Sequence, residues 1–208
     1  MCYLIQSFST AGGSSIAAWR IALDAHTAWV LKHGPSLPEA SAFALRPRQA
    51  DDEPFLRALY AGTREGELAT LPWSPAEKQA FLARQFDARE RHYRAEFPAA
   101  EDLIVEVVGQ PAGRLEVDRD AQRLLIVDLA VARAFRGRGI GTALLHRLLA
   151  ESTRSGRPVR LHVEQFSRAR SLYERLGFRS IAESPPYLLM EWTLSAGPPI
   201  PNPTRKEE

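Results

Sequence analysis

A single cysteine, Cys2, stands in the 208 residues. Its isolation excludes an internal disulfide framework and a Cys-rich zinc site, and fits a reducing compartment without proving one. Lysine is nearly as scarce. Only Lys32, Lys78 and Lys206 occur, so arginine supplies 24 of the 27 basic residues. Against 25 acidic residues the net charge is +2, too balanced to mark a nucleic-acid or membrane partner. The arginine excess, beside many alanines and prolines, reads as genome composition rather than phosphate recognition. No stretch reaches the ~20 apolar residues that cross a bilayer. The best candidate, Ile16 to Leu31, is broken by Arg20, Asp24 and His26 and lacks the basic start and cleavage site of a secretory signal. The expectation is a soluble cytoplasmic protein.

With 45% hydrophobic and 25% charged residues the composition is that of a globular chain, of a length that buries a core without staples. One domain is expected, with an appendage at 1–41, where one loosely helical stretch precedes the linker His33-Gly34-Pro35-Ser36-Leu37-Pro38. The end, 195–208, is proline-rich and reads as a mobile tail. Between them, 42–194, the periodicity gives a strand at Phe43 to Arg48 and a first helix from Glu53 to about Ala61, opened by Asp51-Asp52-Glu53-Pro54. Ser74-Pro75-Ala76-Glu77 is a capping box with proline at N1, and opens a long charged helix to about Phe97. A hairpin is expected from Leu103 to Arg119 around Gly109–Gly113. A nearly all-apolar strand, Leu124 to Val131, should be central and covered on both faces. Helices from Gly139 to Ser155 and from Arg168 to Leu176 enclose a strand at Val159 to Val163, and strands at Phe178 to Ile181 and Leu188 to Leu194 close the domain. The fold class is α/β (α+β): a mixed, mostly antiparallel sheet of six to seven strands flanked by four helices.

The segment from Val131 to Thr142 is the most informative. A strand runs into a loop with glycines at 137, 139 and 141, and the loop opens an amphipathic helix. Free N–H groups and the positive end of the helix dipole there suit a phosphate or pyrophosphate, with Arg136 and Arg138 adding charge. A glycine-rich turn with solvated arginines accounts for the same residues. There is no G-x-x-x-x-G-K-[ST], and the glycine spacing is not G-x-G-x-x-G, so neither a P-loop nor a Rossmann dinucleotide site is supported.

Arg136-x-x-Gly139-x-Gly141 after a strand, followed some thirty residues on by Leu172-Tyr173-Glu174-Arg175-Leu176-Gly177-Phe178, resembles the GNAT superfamily of acyl-CoA-dependent N-acyltransferases. The resemblance covers about Ala42 to Leu194 and is strongest from Ile126 to Phe178. It implies acetyl-CoA as co-substrate, no metal, and transfer to a primary amine, of a small molecule or of a protein N-terminus or lysine, by direct attack in a ternary complex. Leu129, Ala130 and Val131 would pair with the pantetheine arm. Gly137, Gly139, Ile140 and Gly141, with Arg136, Arg138 and Thr142, would hold the pyrophosphate. Tyr173 would lie beside the thioester sulfur as general acid. Where many members carry an asparagine six or seven residues before that tyrosine, this chain has Phe166 and Ser167. Ser167 either keeps a weaker cofactor contact or is a helix N-cap.

Amine attack needs a proton acceptor. Asp128, the lone charge in an apolar strand, leads, with a structural hydrogen-bonding role as its alternative. Glu164 at the end of the neighbouring strand is second and Glu116 third. His162 alternates with Glu164, and Tyr187 and Trp192 either line the acceptor pocket or fill core. Glu65 and Glu67 would favour a cationic acceptor. A non-catalytic acyl-CoA-binding or sensing module is the competing reading, and a homodimer is compatible with the resemblance. Arg84, Arg89, Arg91 and Arg94 interleave with Asp87, Glu90 and Glu96, which suits a solvated, salt-bridged face better than nucleic acid.

Overall fold

The structure is a computed structural model and describes residues 43–194. The expected appendage, with Cys2, and the expected proline-rich tail lie outside the described residues. Seven strands form one sheet: β1 (Ala44–Pro47), β2 (Glu101–Val107), β3 (Gln110–Arg119), β4 (Leu124–Val131), β5 (Val159–Glu164), β6 (Arg179–Ser184) and β7 (Tyr187–Trp192). The helices are α1 (Glu53–Ala69), α2 (Pro75–Glu96), α3 (Ile140–Ser155) and α4 (Ala169–Arg175). Strand order is β1-β2-β3-β4-β5-β7-β6, and every neighbouring pair is antiparallel except β4–β5. The parallel pair requires a crossover, and α3 supplies it. This is the mixed, mostly antiparallel sheet with four helices that the sequence predicts.

Alternation along the strands divides two apolar clusters between the faces. Leu115, Val117, Leu124 and Ile126 pack with Leu144, Leu145, Leu148 and Leu149 of α3 and with Tyr173 and Phe178. Ile104 packs on the other side with Leu56 and Leu59 of α1 and Phe86 of α2. Burying each such side chain contributes ~1.5–3 kcal/mol, so the larger α3 cluster is the main hydrophobic anchor of the sheet.

Element ends differ from expectation for identifiable reasons. Helix α1 continues past Ala61 to Ala69 through Gly62 and Gly66, because Leu68 is buried. Interior glycines cost about 1 kcal/mol each, which that burial offsets in part. At its start, Asp52 makes no side-chain cap. Its carboxylate instead accepts from Arg46 at 2.7 Å and from the Gln49 amide at 2.8 Å, which hold it below the ordinary aspartate range. The capping box at Ser74 and Glu77 forms as predicted. The hairpin turn is only Val108-Gly109, both with positive φ, rather than the five residues to Gly113. Pro111 enters β3 opposite Glu106 at a register shift, where its missing N–H is tolerated. Helix α4 and the final strands also shift, to Ala169–Arg175, Arg179–Ser184 and Tyr187–Trp192.

Candidate active site

Strand β4 changes phase in its middle. Leu124 and Ile126 belong to the α3-side cluster, and so do Leu129 and Val131, which an unbroken alternation would turn to the opposite face. The cause is a register shift: Val117 pairs with Ile126 and Glu116 with Asp128, so Val127 is an extra residue in β4. Such a bulge re-aims the side chains beyond it. Here it turns Asp128 and Ala130 toward α1 and α2. The pairing of β4 with β5 also stops there. Only Leu124, Leu125 and Ile126 pair, with Val159, Arg160 and Leu161, and beyond them the two strands part. One backbone edge of β4 from Val127 to Val131 therefore faces a gap, which explains why these residues are half-buried, not covered as expected of a central strand.

Gly113 is the residue that lets β3 follow this end of β4, because a Cβ there would lie 2.5 Å from the Ala130 carbonyl oxygen. At the lip of the gap a short 3₁₀ turn, Arg133–Phe135, leads into the glycine loop. Gly137 and Gly139 have φ of 75° and 79°, and Gly139 caps α3 in the left-handed conformation. The first bond of α3 runs from the Ala143 amide to the Gly139 carbonyl at 2.9 Å. The amides of Ile140, Gly141 and Thr142 thus lack an intrahelical acceptor. A Cβ at Gly137 or Gly141 would meet no atom within 4 Å, so the backbone is open to close approach from outside. Arg136 Nε donates to the Val131 carbonyl at 2.9 Å, tying the loop to the strand end, and the Arg138 guanidinium lies 5.3 Å from the Phe135 ring centre.

Tyr173 of α4 is buried and meets Phe178 edge-on at 5.7 Å. Burial, and secondarily the negative charge of Asp128, push its hydroxyl up to about 12, so it holds its proton at neutral pH. Asp128 also acts on Tyr93 of α2, whose hydroxyl is raised by burial and then by that charge. Asp128 is thus within electrostatic reach of both phenols. Its Oδ2 lies 3.4 Å from Arg114 Nη1 and 3.5 Å from Arg89 Nη1.

The remaining candidates fall in different places. Glu164, at the end of β5, is exposed and lies 3.7 Å from Arg64 of α1. His162 and Glu164 share the outward side of β5, with Val163 buried between them. The Ser167 hydroxyl accepts from the Ala169 amide at 3.2 Å, a local bond at the start of α4, whose N-cap position is Arg168. Trp192 packs on the α3-side cluster, 3.4 Å from where a Gly177 Cβ would stand, which is a core role. Tyr187 pairs in register with Glu164 at the end of β7. Glu65 and Glu67 are taken up by Arg133 and Arg64 at 2.9 and 2.8 Å.

Sequence reasoning missed the arginine at the centre. Arg114 of β3, only 1% exposed, donates to both oxygens of Asp102 at 2.8 Å and to Glu90 at 2.7 Å, and lies 2.9 Å from Glu116. Arg48 bonds Glu90 and Asp102 as well. Burial alone would raise Glu90 and Asp102, but the two guanidiniums outweigh it and hold both below their ordinary ranges. Glu90, expected on a solvated helix face, is therefore buried, and Arg89 is partly covered by the rings of Tyr60 and Phe86. The face is salt-bridged as predicted, but at these positions it packs on the sheet. Among the described residues no group of His, Cys, Asp and Glu is placed to hold a metal ion.

The sheet is open and seven-stranded, parts at its one parallel pair, and carries a glycine cradle and a helix N-terminus at the lip. In this chain, residues 96–180 match the family model of the acetyltransferase (GNAT) domain. Among solved structures it is similar to the PaiA N-acetyltransferase of Thermoplasma acidophilum in complex with coenzyme A, with 16% identity, 73% of this chain and 99% of that one covered, and a TM-score of 0.56. It is also similar to an acetyltransferase from Thermus thermophilus, at 19% identity, 74% and 97% coverage and TM-score 0.53. A GCN5-related N-acetyltransferase from Rhodopseudomonas palustris gives 20% identity, 74% and 97% coverage and 0.54. These identities bear on the fold. No curated protein matches.

Proposed function

We propose that the chain transfers an acetyl group from acetyl-CoA to a primary amine by direct attack in a ternary complex. The observation that carries this reading is the gap between β4 and β5, which leaves β4 without a partner strand on one edge along Leu129, Ala130 and Val131, beside the cradle at the start of α3. The cradle fits a pyrophosphate by its own geometry, since space stands open over Gly137 and Gly141 and the first amides of α3 have no helical acceptor. Coenzyme A bound to the Thermoplasma relative supports the same ligand class.

In this reading the β4 edge pairs with the pantetheine amides, and Arg138 and Thr142 add to the cradle. Arg136, bonded to Val131, stiffens the junction of strand and loop. Bound acetyl-CoA supplies an activated acyl group as a thioester. The buried hydroxyl of Tyr173 keeps its proton for the departing sulfur. Asp128, re-aimed by the bulge, accepts the proton of the amine. Glu164, exposed and beside Arg64, orients the acceptor at the mouth. Ser167 serves the start of α4, and its hydroxyl is the nearest replacement for the asparagine of other members. Residues 42–194 form the acetyltransferase domain.

The test is thiol release from acetyl-CoA with a panel of amines. Tyr173→Phe and Asp128→Asn are each expected to lower kcat by about 10²–10⁴-fold, with acetyl-CoA affinity by calorimetry nearly unchanged in Tyr173→Phe. Tight CoA binding without turnover on any amine would leave the domain an acyl-CoA sensor instead.

A further inference from the structure

Behind the site, a cavity of about 210 Å³ lies under the end of α2. Its rim is formed by exposed Arg94 and Pro98, and its walls include Tyr93, Arg114 and Glu116. Glu116 is 5% exposed, and its Oε2 accepts no hydrogen bond although Arg114 Nη2, which donates to Asp102, lies 2.9 Å away. A buried carboxylate oxygen left without a donor is costly as an anion and is eased by a proton. Glu116 is also the direct cross-strand partner of Asp128 on the same face. Opposed residues on one sheet face have Cβ atoms about 4.5–5.5 Å apart, which sets the two carboxylates side by side. Both lie against the single guanidinium of Arg114.

Resting on the acetyl-transfer reading above, we propose that Glu116 relays the proton of the acceptor amine from Asp128 to the solvent of this cavity, behind the sheet and away from the bound substrates. In the step it serves, the amine nitrogen bonds to the thioester carbonyl carbon as the C–S bond breaks. The sulfur takes the proton of Tyr173, which regains one from solvent. The proton lost by nitrogen passes to the Asp128 carboxylate, then to Glu116, then to the cavity, and both carboxylates return to anions. The groups facing Glu116 are Arg114 on its own strand, Asp102 on β2, Asp128 on β4, Glu90 and Tyr93 on α2, and Arg48 beyond β1. Burial first, then the charges of Asp102, Asp128 and Glu90, outweigh Arg114 and bring its titration to about 7. That is where a relay both accepts and releases a proton readily. Glu116 touches no substrate and is a positioning residue for Asp128.

The experiment uses the full chain and has two readouts. Infrared difference titration of the free protein, wild type against Glu116→Gln, is expected to show one carboxyl band titrating near pH 7 that the variant lacks. The pH profile of kcat with acetyl-CoA and an amine acceptor is expected to lose its limb near pH 7 in Glu116→Gln. That loss comes with a fall on the order of 10-fold or more and an unchanged acetyl-CoA Kd. Glu116→Asp should keep the limb and shift its midpoint. No band lost between pH 6 and 8, or a Glu116→Gln profile that is a uniformly scaled copy of the wild type, overturns the relay. If the amide variant fails to fold, Glu116→Asp carries both readouts, and unmoved midpoints overturn it equally. The infrared titration needs no turnover. Wild-type activity unaffected by Tyr173→Phe and Asp128→Asn therefore sinks the acetyl-transfer reading separately.

Discussion

Arg114 shows how much one side chain organises. It is buried against four carboxylates, and none of those four positions is near it in sequence except Glu116. Removing one member of a buried ion network leaves uncompensated charge and typically costs 3–5 kcal/mol, whereas the intact network is worth little more than an apolar replacement of all its members. Arg114→Met is therefore expected to destabilise the protein by about 3–5 kcal/mol at pH 7. The pH dependence follows from Glu90 and Asp102, both held below their ordinary ranges by Arg114 and Arg48. Carboxylates with depressed folded-state values contribute stability above their unfolded values and lose it as pH falls through the folded ones. The wild type loses that contribution on acidification and the variant never has all of it, so the gap should narrow below about pH 4. Urea titrations of both proteins at pH 7 and below pH 4 check this, and a gap that widens with acid contradicts it.

At the scale of elements, the bulge at Val127 and the close approach at Gly113 act together on the same end of β4. The bulge sets which residues face the gap, and Gly113 lets β3 stay paired with the strand while it does so. Gly113→Ala would place a methyl carbon 2.5 Å from the Ala130 oxygen, a backbone atom that yields only if β4 moves. The variant is expected to weaken CoA binding several-fold and to lower Tm, while Gly137→Ala, at an open position of positive φ, strains the loop with no such displacement. Calorimetry of CoA with each variant separates the effects, and unchanged affinity in a folded Gly113→Ala protein would detach this strand end from the cofactor. Much of this level was legible beforehand. The Ser74 capping box, the all-apolar β4, the glycine loop and the α3 stripe are local patterns, and each element formed where its pattern lay. The charge network was not, because Arg114 and Glu116 alternate with Leu115 and Val117 as they would in a hairpin with one wet face. Only the packing of α2 over that face makes them buried. The break in phase between Ile126 and Leu129 was present in the sequence, but a bulge becomes visible only against its partner strand.

For the molecule as a whole, what matters is which residues close the sheet. Strand β1 begins at Ala44 and pairs along its length with β2, while β7 ends at Trp192 between β5 and β6. Among the described residues, the two apolar clusters draw on side chains from Phe43 to Trp192. The cradle, the β4 edge, Tyr173, Asp128 and Glu116 also lie within that range. A chain cut to Ser41–Ala196 is therefore expected to unfold cooperatively, with a Tm within a few degrees of the full chain, and to bind CoA with the same affinity. A shift of 2–4 °C corresponds to about 1 kcal/mol for a domain of this size, so docking of a single apolar side chain from outside the range would be measurable. The candidates for such docking in the sequence are Trp19, Ile21 and Trp29. Thermal unfolding and CoA titration of the two chains decide the matter. A shortened chain that precipitates, or that loses cofactor affinity while the full chain keeps it, would place part of the first forty residues inside the functional domain and move its boundary upstream of Ala42.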